Sequence, residues 1–412
     1  MYPDLSYFFH DFFGTDVDNW TSIFKTFGVF LALVFVVSFY IIRSEIRRKH
    51  AEGIIPDLSI KVAASSPLKE GIANSIFGFI IGFKIPMIYS NFADFKTNPA
   101  SMVFSAEGNW AMGIGAAVLF GIYSYMMGQN RPVYAGGTAK VHPAEKSGDI
   151  ILIAAFSGII GSRLFSILEN LDSFWADPMG QLLSGSGLTI YGGLILAFFA
   201  VSFYIRRIGI PQLHMMDIAS LALLIGYGVG RMGCQFSGDG DWGIANENPK
   251  PDWFVFPDWA WAYDYPRNVA DFHQQGAKIA DCVGNFCTHL TPPVYPTPIY
   301  EIAFAIVAFL LLWSLRTKIK TPGRLFFLYL ILSTFARFWV ESIRVNPRYD
   351  ILGLDWSQAQ WISAILFVIG LIGFFMVGRG DGADSSFRSG KPDYTIPDLR
   401  EPVAVQKDAG MA

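Results

Sequence analysis

The sequence has few charged residues for its length. Asp, Glu, Lys and Arg make up only 16% of the 412 residues, whereas roughly 25% is typical of a soluble chain. Hydrophobic residues make up 52%, so much of the surface is suited to lipid rather than water. We therefore predict an all-α polytopic integral membrane protein. The net charge of −3 and the lack of a basic stripe argue against a nucleic-acid partner.

Cysteine and paired histidine are also scarce. Three cysteines are too few for a disulfide scaffold or a Cys-rich metal site, although Cys282 and Cys287 could pair in an extracytoplasmic loop. None of the six histidines forms a metal-ligand pair at helical spacing. We expect no metal and no cofactor, with Asp239 and Asp241 as a weak alternative site for a divalent cation.

The apolar runs can be compared with the roughly 20 residues that a helix needs to cross a bilayer. The weakest run, 75–90, is interrupted by Lys84 and Pro86. Counting it, we expect about nine transmembrane helices. Their centres are at 27–42, 75–90, 110–127, 150–168, 188–205, 215–230, 302–314, 325–343 and 361–377.

Lys and Arg are concentrated in alternate connections between these runs, and short loops rich in these residues stay cytoplasmic. The basic connections are 43–50, 128–147, 206–213 and 316–324. The connections predicted outside are 91–109, 169–187, 232–298 and, with the weakest contrast, 343–356. This alternation places the N-terminus outside the cytoplasm and the C-terminus inside.

The same pattern predicts the domain organisation. Residues 1–22 form an extracytoplasmic N-terminus, and residues 23–378 form the transmembrane domain. Within it, the 232–298 connection is rich in Trp, Tyr, Pro and Asp, and we expect an ordered cap that moves when substrate binds. The tail 379–412 is polar and rich in Pro and Gly, which predicts disorder on the cytoplasmic side.

Several charged and polar residues lie within or beside the predicted spans, where such residues are functional candidates by default. The predicted topology places all of them near the outer side of the bilayer. They are Arg163, Tyr191, Arg231, Glu301, Arg337, Glu341 and Arg344. If they converge, they form a polar chamber suited to an anionic substrate that resides in the membrane.

Two of the arginines have an alternative, structural interpretation. Glu341 follows Arg337 by four residues on one helix, so the two could simply pair. Arg163 could pair with Glu301 or with Glu169.

Three other residues also have simpler interpretations. Tyr191 could be an aromatic of the interfacial belt, and Arg344 is more typical of an anchor that snorkels to the interface. Asp217, in the inner half of its span, is predicted to be a structural hydrogen-bond partner. Arg231 is different, because the four glycines within five residues of it could clear space for a ligand.

Arginine is suited to phosphate because its planar guanidinium donates two parallel hydrogen bonds and stays charged when partly desolvated. A phosphate ester headgroup is therefore the expected ligand. No nucleophile–base triad is recognisable, so the nucleophile should arrive with a second substrate. A lipid or anion transporter, or a flippase, would also need intramembrane arginines. It should have polar residues at several depths, whereas these gather on one side, which favours an enzyme.

Five segments together resemble the prolipoprotein diacylglyceryl transferase family. In order, they are SGLTIYGGLI, GYGVGRMGCQFSGDGDWG, YPTPIYE, GRLFFLYLILSTFARFWVESIR and SQAQWIS. The resemblance covers roughly residues 148–378 and the first span. It implies transfer of the diacylglyceryl group from phosphatidylglycerol to the lipobox cysteine thiol of a preprolipoprotein, with release of glycerol 1-phosphate. It also implies a location in the bacterial inner membrane, with the active site toward the outer leaflet.

The resemblance also implies roles for individual residues. Arg231 matches the essential arginine of the glycine-framed signature, which Gly243 closes. Arg337 matches a second essential arginine, with Glu341 as the acid one turn later. Two further residues match substrate-binding positions, namely Glu301 and Arg163.

The chain also departs from the family pattern. Residues 75–127 look like two added spans. Phe27 and Ser333 stand at positions where the family has tyrosine, and Cys234 stands where it has asparagine.

The departures leave the identity of the general base open. Tyr191 stands where many members have a histidine thought to act on the thiol. One extra residue in the signature loop makes Asp239 and Asp241 compete for the place of the family's glutamate. We hypothesise that Tyr191 orients or deprotonates the thiol, with Asp241, Asp239 or Glu301 as rivals for the proton.

Overall fold

The computed structural model describes residues 1–62, 67–97, 102–103, 105, 107–129, 137–183, 189–270, 276–351 and 353–378. The tail predicted over 379–412 lies outside these residues. Each of the nine predicted spans coincides with a helix. In chain order the helices are α1 (Leu5–Phe13), α2 (Thr26–Ala51), α3 (Pro67–Ser90), α4 (Phe92–Thr97), α5 (Trp110–Gln129), α6 (Ser147–Glu169), α7 (Leu171–Ala176), α8 (Pro178–Leu183), α9 (Ile190–Ile208), α10 (Gln212–Ser237), α11 (Thr297–Leu315), α12 (Arg324–Glu341) and α13 (Gln358–Met376).

Among the described residues, eight helices are long and apolar enough to cross a membrane. They are α2, α3, α5, α6, α9, α10, α11 and α13. Helix α12, which is the remaining predicted span, is not among them, and three of its 18 residues are charged. The prediction of an all-α polytopic membrane protein is confirmed.

Short antiparallel strand pairs occur only in the connections of the described chain. They are β1 (Leu58–Val62) with β2 (Gly137–Val141), β3 (Ala277–Lys278) with β4 (Thr288–His289), and β5 (Arg348–Ile351) with β6 (Leu354–Ser357). These pairs tie loops together and form no sheet that could act as a core.

Helix α10 is the central helix and the most buried of the eight. It packs against α2, α11 and α12, and Ile218, Leu221 and Leu224 on it are almost fully buried. Its apolar faces contribute to two clusters, one with α2, α6 and α9 and one with α11 and α12. Residues at its C-terminal end are therefore held by three neighbouring helices.

Helices α6 and α9 approach each other through glycines. A Cβ atom on Gly192 would lie 2.5 Å from the carbonyl oxygen of Gly161 and 2.4 Å from the Phe165 side chain. Gly192 therefore lets another backbone approach closely. This contact fixes the start of α9, where Tyr191 lies.

The weak predicted span 75–90 is part of α3, which forms a helical hairpin with α5. Its Lys84 ammonium donates to the backbone carbonyls of Met102 at 3.1 Å, Ser105 at 2.5 Å and Glu107 at 2.9 Å. A lysine is tolerated near a span end when such acceptors meet its charge, so Lys84 does not interrupt the helix.

Asp217 has the structural role predicted for it. Its carboxylate accepts hydrogen bonds from the backbone N–H groups of Gly323 at 2.9 Å and Phe326 at 3.0 Å, at the start of α12. Lys49 Nζ lies 3.8 Å from the same carboxylate. Asp217 thus anchors α12 to α10 at the end opposite to Arg231.

The segment between α10 and α11 is fastened by the N-terminal residues. Tyr7 is fully buried, and its hydroxyl accepts a hydrogen bond of 2.9 Å from the Asn285 N–H. Arg267 pairs with Asp11 at 3.2 Å. The pairing considered for Cys282 and Cys287 is confirmed, because a disulfide joins them. The contacts of Asp11 and Tyr7 restrain this segment at Arg267 and at Asn285, respectively.

Replacement of Gly192 by alanine should separate α6 from α9 and lower the free energy of unfolding by about 2 kcal/mol, because overpacking has a cost of this size. The matched control is Gly158→Ala in α6, where a Cβ would meet open space. That control should be neutral or up to about 1 kcal/mol more stable. Thermal unfolding in detergent would measure both, and equal behaviour of the two variants would contradict the close approach.

Candidate functional site

Six ionisable side chains meet where α10 and α12 end and where α11 begins. The three helices pack against one another, and α11 runs opposite to the other two, so these ends lie on one side of the fold. The residues are Arg231 from α10, Asp241 from the following loop, Glu301 from α11, Arg337 and Glu341 from α12, and Arg344 from the turn after α12. We call these six residues the arginine–carboxylate cluster.

Glu301 is at the centre of the cluster. Its side chain is 3% exposed, and its Oε2 lies 3.0 Å from Arg231 Nε. Its Oε1 accepts hydrogen bonds from Tyr227 Oη and, at 3.4 Å, from Arg337 Nη1. Arg344 Nη1 lies 3.9 Å from Oε2. A buried carboxylate requires paired partners, and this one brings all three arginines of the cluster together.

Asp241 links two of the same arginines from the loop side. Its carboxylate pairs with Arg231 and with Arg344, and Thr297 Oγ1 donates to its backbone carbonyl at 2.7 Å. Burial raises the pKa of Asp241, but the two guanidiniums outweigh burial and lower that pKa to about 2. The carboxylate is therefore ionised at neutral pH and serves as a counter-ion.

Asp239 has the opposite electrostatic environment. Burial raises its pKa, and the neighbouring Asp241 carboxylate adds to the increase. Among the described residues it makes no salt bridge, while its Oδ1 accepts the Asp241 N–H at 3.2 Å. The two aspartates that competed for one role in the sequence are thus chemically different, because only Asp241 is tied to arginines.

Glu341 is held from three directions. Its Oε2 lies 3.0 Å from Arg337 Nη2, and its Oε1 accepts hydrogen bonds from Ser357 Oγ at 2.9 Å and Asn346 Nδ2 at 2.5 Å. Ser357 also caps α13 through a capping box with Gln360. The predicted pair of Arg337 and Glu341 therefore exists, and it is joined to the larger cluster.

The cluster has hydrogen-bond donors left for an anion. Three guanidiniums balance three carboxylates, and each guanidinium has five N–H groups. In the described residues, Arg344 Nε and Nη1 are buried and make no hydrogen bond. Arg231 pairs with Glu301 through Nε and with Asp241 through Nη1. A phosphate could therefore bind without displacing every carboxylate.

Of the remaining candidates, Tyr191 and Gly243 lie beside this cluster. Tyr191, at the start of α9, lies close enough to Arg337 for the guanidinium charge to act on its phenol, so the structure brings it to the cluster. Arg163 is partly buried on α6, next to the Gly161 contact with α9. Gly243 donates its N–H to the Tyr295 carbonyl at 2.9 Å and bridges the backbone of Arg344.

Cys234, Asp239 and Asp241 place one potential metal-ligand atom each within 4.8 Å of the others. Cys234 is buried in α10, and its Sγ lies 3.5 Å from Asp241 Oδ2. Because Arg231 and Arg344 already neutralise Asp241, a divalent cation would have to compete with two positive charges. This charge balance favours an anion at the cluster over a cation.

Two residues of the site were misjudged or missed from the sequence. The interpretation of Arg344 as a snorkelling anchor is wrong, because its side chain is only 10% exposed and pairs with Asp241. Tyr227 was not singled out, although it precedes Arg231 by one helical turn. The available signal was that spacing, since a phenol four residues before an arginine shares its helix face.

The glycines near Arg231 also have a different role from the one expected. A Cβ on Gly228 would lie 3.0 Å from the Ala305 side chain of α11, and one on Gly233 would lie 3.0 Å from the Phe30 side chain of α2. They let helices pack closely against α10 and do not open a space for a ligand.

Replacement of Arg344 by glutamine should lower the free energy of unfolding by about 3 kcal/mol, because it removes one of the three positive charges that balance the three acids of the cluster. The matched control is Arg348→Gln, since Arg348 is 45% exposed and lies 3.9 Å from Asp355. Loss of such a surface pair should have an effect of about 0.5 kcal/mol or less. Chemical or thermal unfolding would compare the two, and an equally small effect of both would restore the anchor interpretation.

Comparisons with known proteins identify a family that this chain resembles. Residues 106–376 match the model of a family described as prolipoprotein diacylglyceryl transferase. A phosphatidylglycerol–prolipoprotein diacylglyceryl transferase of Corynebacterium glutamicum is 27% identical over 237 residues, which are 56% of this chain and 69% of that protein. Proteins of the same name from Dehalococcoides mccartyi and Lysinibacillus sphaericus are 29% identical over 232 residues and 27% identical over 252 residues. These alignments cover 55% and 61% of this chain, and 76% and 81% of those proteins.

Proposed function

The chain belongs to the prolipoprotein diacylglyceryl transferase family, and from this premise we propose that it transfers diacylglyceryl groups from phosphatidylglycerol to prolipoproteins. The acceptor is the lipobox cysteine thiol of a preprolipoprotein, and the second product is glycerol 1-phosphate. The observation that carries the proposal is the arginine–carboxylate cluster, whose three guanidiniums are held together by buried acids and retain donors for a phosphate.

The proposed reaction is a substitution at the carbon that bears the phosphate ester. The thiolate sulfur of the incoming cysteine forms a bond to this carbon, the carbon–oxygen bond breaks, and the glycerol phosphate leaves with the electron pair. Charge on the leaving phosphate increases during this step. Arg231 and Arg337 would bind the phosphodiester and stabilise that charge, which is a large catalytic effect when donors are preorganised.

The acids of the cluster have positioning roles in this proposal. Glu301, Glu341 and Asp241 keep the guanidiniums in place before the lipid arrives, so little reorganisation is needed on binding. Arg163 and Gly243 are proposed to complete the phosphatidylglycerol site from α6 and from the loop.

Asp239 is the stronger candidate for the group that takes the thiol proton. A general base works best when its pKa is near the working pH, and burial raises the pKa of Asp239 toward that range, whereas two arginines lower the pKa of Asp241 to about 2. Tyr191, which lies close to Arg337, would then orient the headgroup or the thiol.

The proposed location is the bacterial cytoplasmic membrane, with the cluster toward the outer leaflet, the N-terminus outside and the C-terminus in the cytoplasm. The disulfide between Cys282 and Cys287 supports this orientation, because disulfides persist outside the reducing cytoplasm. A lipid could enter sideways between helices, and the preprolipoprotein could approach from the outer face.

The direct test incubates the purified protein with labelled phosphatidylglycerol and a lipobox peptide, and detects the thioether product by mass spectrometry. Wild type should form product, and Arg231→Ala should reduce the rate by at least about 100-fold, which is typical for loss of one preorganised donor. Arg207→Ala, which removes an exposed arginine near the other end of the bundle, is the control and should keep the rate. Absence of thioether from the wild type would refute the proposed function.

The pH profile separates the two candidate bases. If Asp239 takes the proton, the wild-type rate should fall as pH decreases through its raised pKa, because the base must be deprotonated. Asp239→Asn should remove this dependence and lower the rate by about 100-fold. Tyr191→Phe should still show the fall in rate at low pH. If Asp239→Asn keeps the wild-type rate and the same fall in rate at low pH, Asp239 is excluded as the base. If only Tyr191→Phe loses activity, the phenol of Tyr191 is the base instead.

A further inference from the structure

Tyr227 makes two contacts at the centre of the cluster that no other phenol of the described chain duplicates. Its Oη donates a hydrogen bond to Glu301 Oε1, and the Arg231 guanidinium lies over its ring, 5.2 Å from the centroid. Its ring also packs against the apolar contact of α10 with α11 and α12. The residue therefore touches both the central acid and one of the proposed phosphate ligands.

The two oxygens of the Glu301 carboxylate have different partners. Oε2 pairs with Arg231 Nε at 3.0 Å, while Oε1 is occupied by the phenol. Arg337 Nη1 reaches the same Oε1 at only 3.4 Å, near the long end of the hydrogen-bond range. The Tyr227 phenol and the Arg337 guanidinium therefore share Oε1 of Glu301, and the phenol is the closer of the two.

We propose that Tyr227 is a positioning residue for phosphatidylglycerol, which keeps Arg337 from closing onto Glu301 and so leaves its guanidinium available to the lipid phosphate. The inference rests on the proposed function. Tyr227 acts through Glu301 and Arg337 and takes no part in bond making. Its ring also restricts the plane of the Arg231 guanidinium by a cation–π contact, which preserves the Nε contact with Glu301.

Loss of the hydroxyl alone has a defined consequence. Without it, Arg337 can shorten its contact with Oε1, and the resulting charge-assisted pair is stronger than the present one. The lipid phosphate must then break that pair before it binds. Because the pair is broken in the ground-state complex, the cost falls on binding and leaves the later substitution step nearly unaffected.

The test measures initial rates of thioether formation in vesicles, with phosphatidylglycerol diluted into phosphatidylcholine and the lipobox peptide saturating. Tyr227→Phe keeps the ring and should raise the KM for phosphatidylglycerol about tenfold, the effect expected when a hydrogen bond to a charged group is lost. The kcat and the KM for the peptide should stay within about twofold. The matched control is Tyr204→Phe, because Tyr204 donates a comparable 2.8 Å bond to the Asp149 carboxylate outside the cluster.

A double-mutant cycle with Glu301→Gln distinguishes positioning from packing. If Tyr227 acts through the Glu301 carboxylate, Tyr227→Phe should change the KM less than about twofold in the Glu301→Gln background. Binding of labelled phosphatidylglycerol to the same four proteins gives the cycle independently of turnover.

Two outcomes would overturn the inference while the proposed function stands. One is an unchanged KM in Tyr227→Phe, and the other is a tenfold effect of the same size in both backgrounds. Failure of the proposed function looks different, because the wild type itself would then form no thioether.

Discussion

The buried carboxylate of Glu301 is the constraint on which the rest of the site depends. A charge that is 3% exposed at the start of a helix must be met by opposite charge. The partners come from the last turns of α10, from the last turns of α12 and from the turn that follows α12. Helix packing fixes the positions of these partners. Their pairing with Glu301 therefore holds the guanidiniums in a defined arrangement.

The other two acids extend this arrangement in different directions. Asp241 joins the loop after α10 to Arg231 and Arg344, and Glu341 joins α12 to the start of α13 through Ser357. Each acid therefore couples the arginines to a separate part of the backbone. The result is a site with preorganised hydrogen-bond donors. The three arginines balance the three acids, and a bound phosphodiester adds a single negative charge.

The opposite end of the bundle follows the same physical rule. Asp217 accepts backbone N–H groups at the start of α12, and Glu45 is buried against Arg48 and Arg316. There the carboxylates hold helix ends together. The arginine–carboxylate cluster differs in that three arginines and three acids converge there, with Nε and Nη1 of Arg344 buried and without an acceptor among the described residues.

The sequence by itself was sufficient for the membrane class, the positions of the helices and two arginines of the cluster, Arg231 and Arg337. Long apolar runs are determined by the thickness of the bilayer, and an arginine beside such a run is conspicuous because its burial is costly. The resemblance to the family also indicated Glu301, Arg337 and Glu341. The same reasoning failed for Arg344, because a position at a helix end is compatible with either an exposed or a buried side chain.

Only the tertiary structure decided which of these residues meet. It separated Asp239 from Asp241, because the distance of each carboxylate from two guanidiniums depends on how the loop folds back onto α12. It also showed that the glycines near Arg231 serve helix packing, and that Tyr227 shares the central carboxylate. Local sequence determines the type and position of each element, but the pairing of charges depends on contacts between residues far apart in the chain, which no periodicity records.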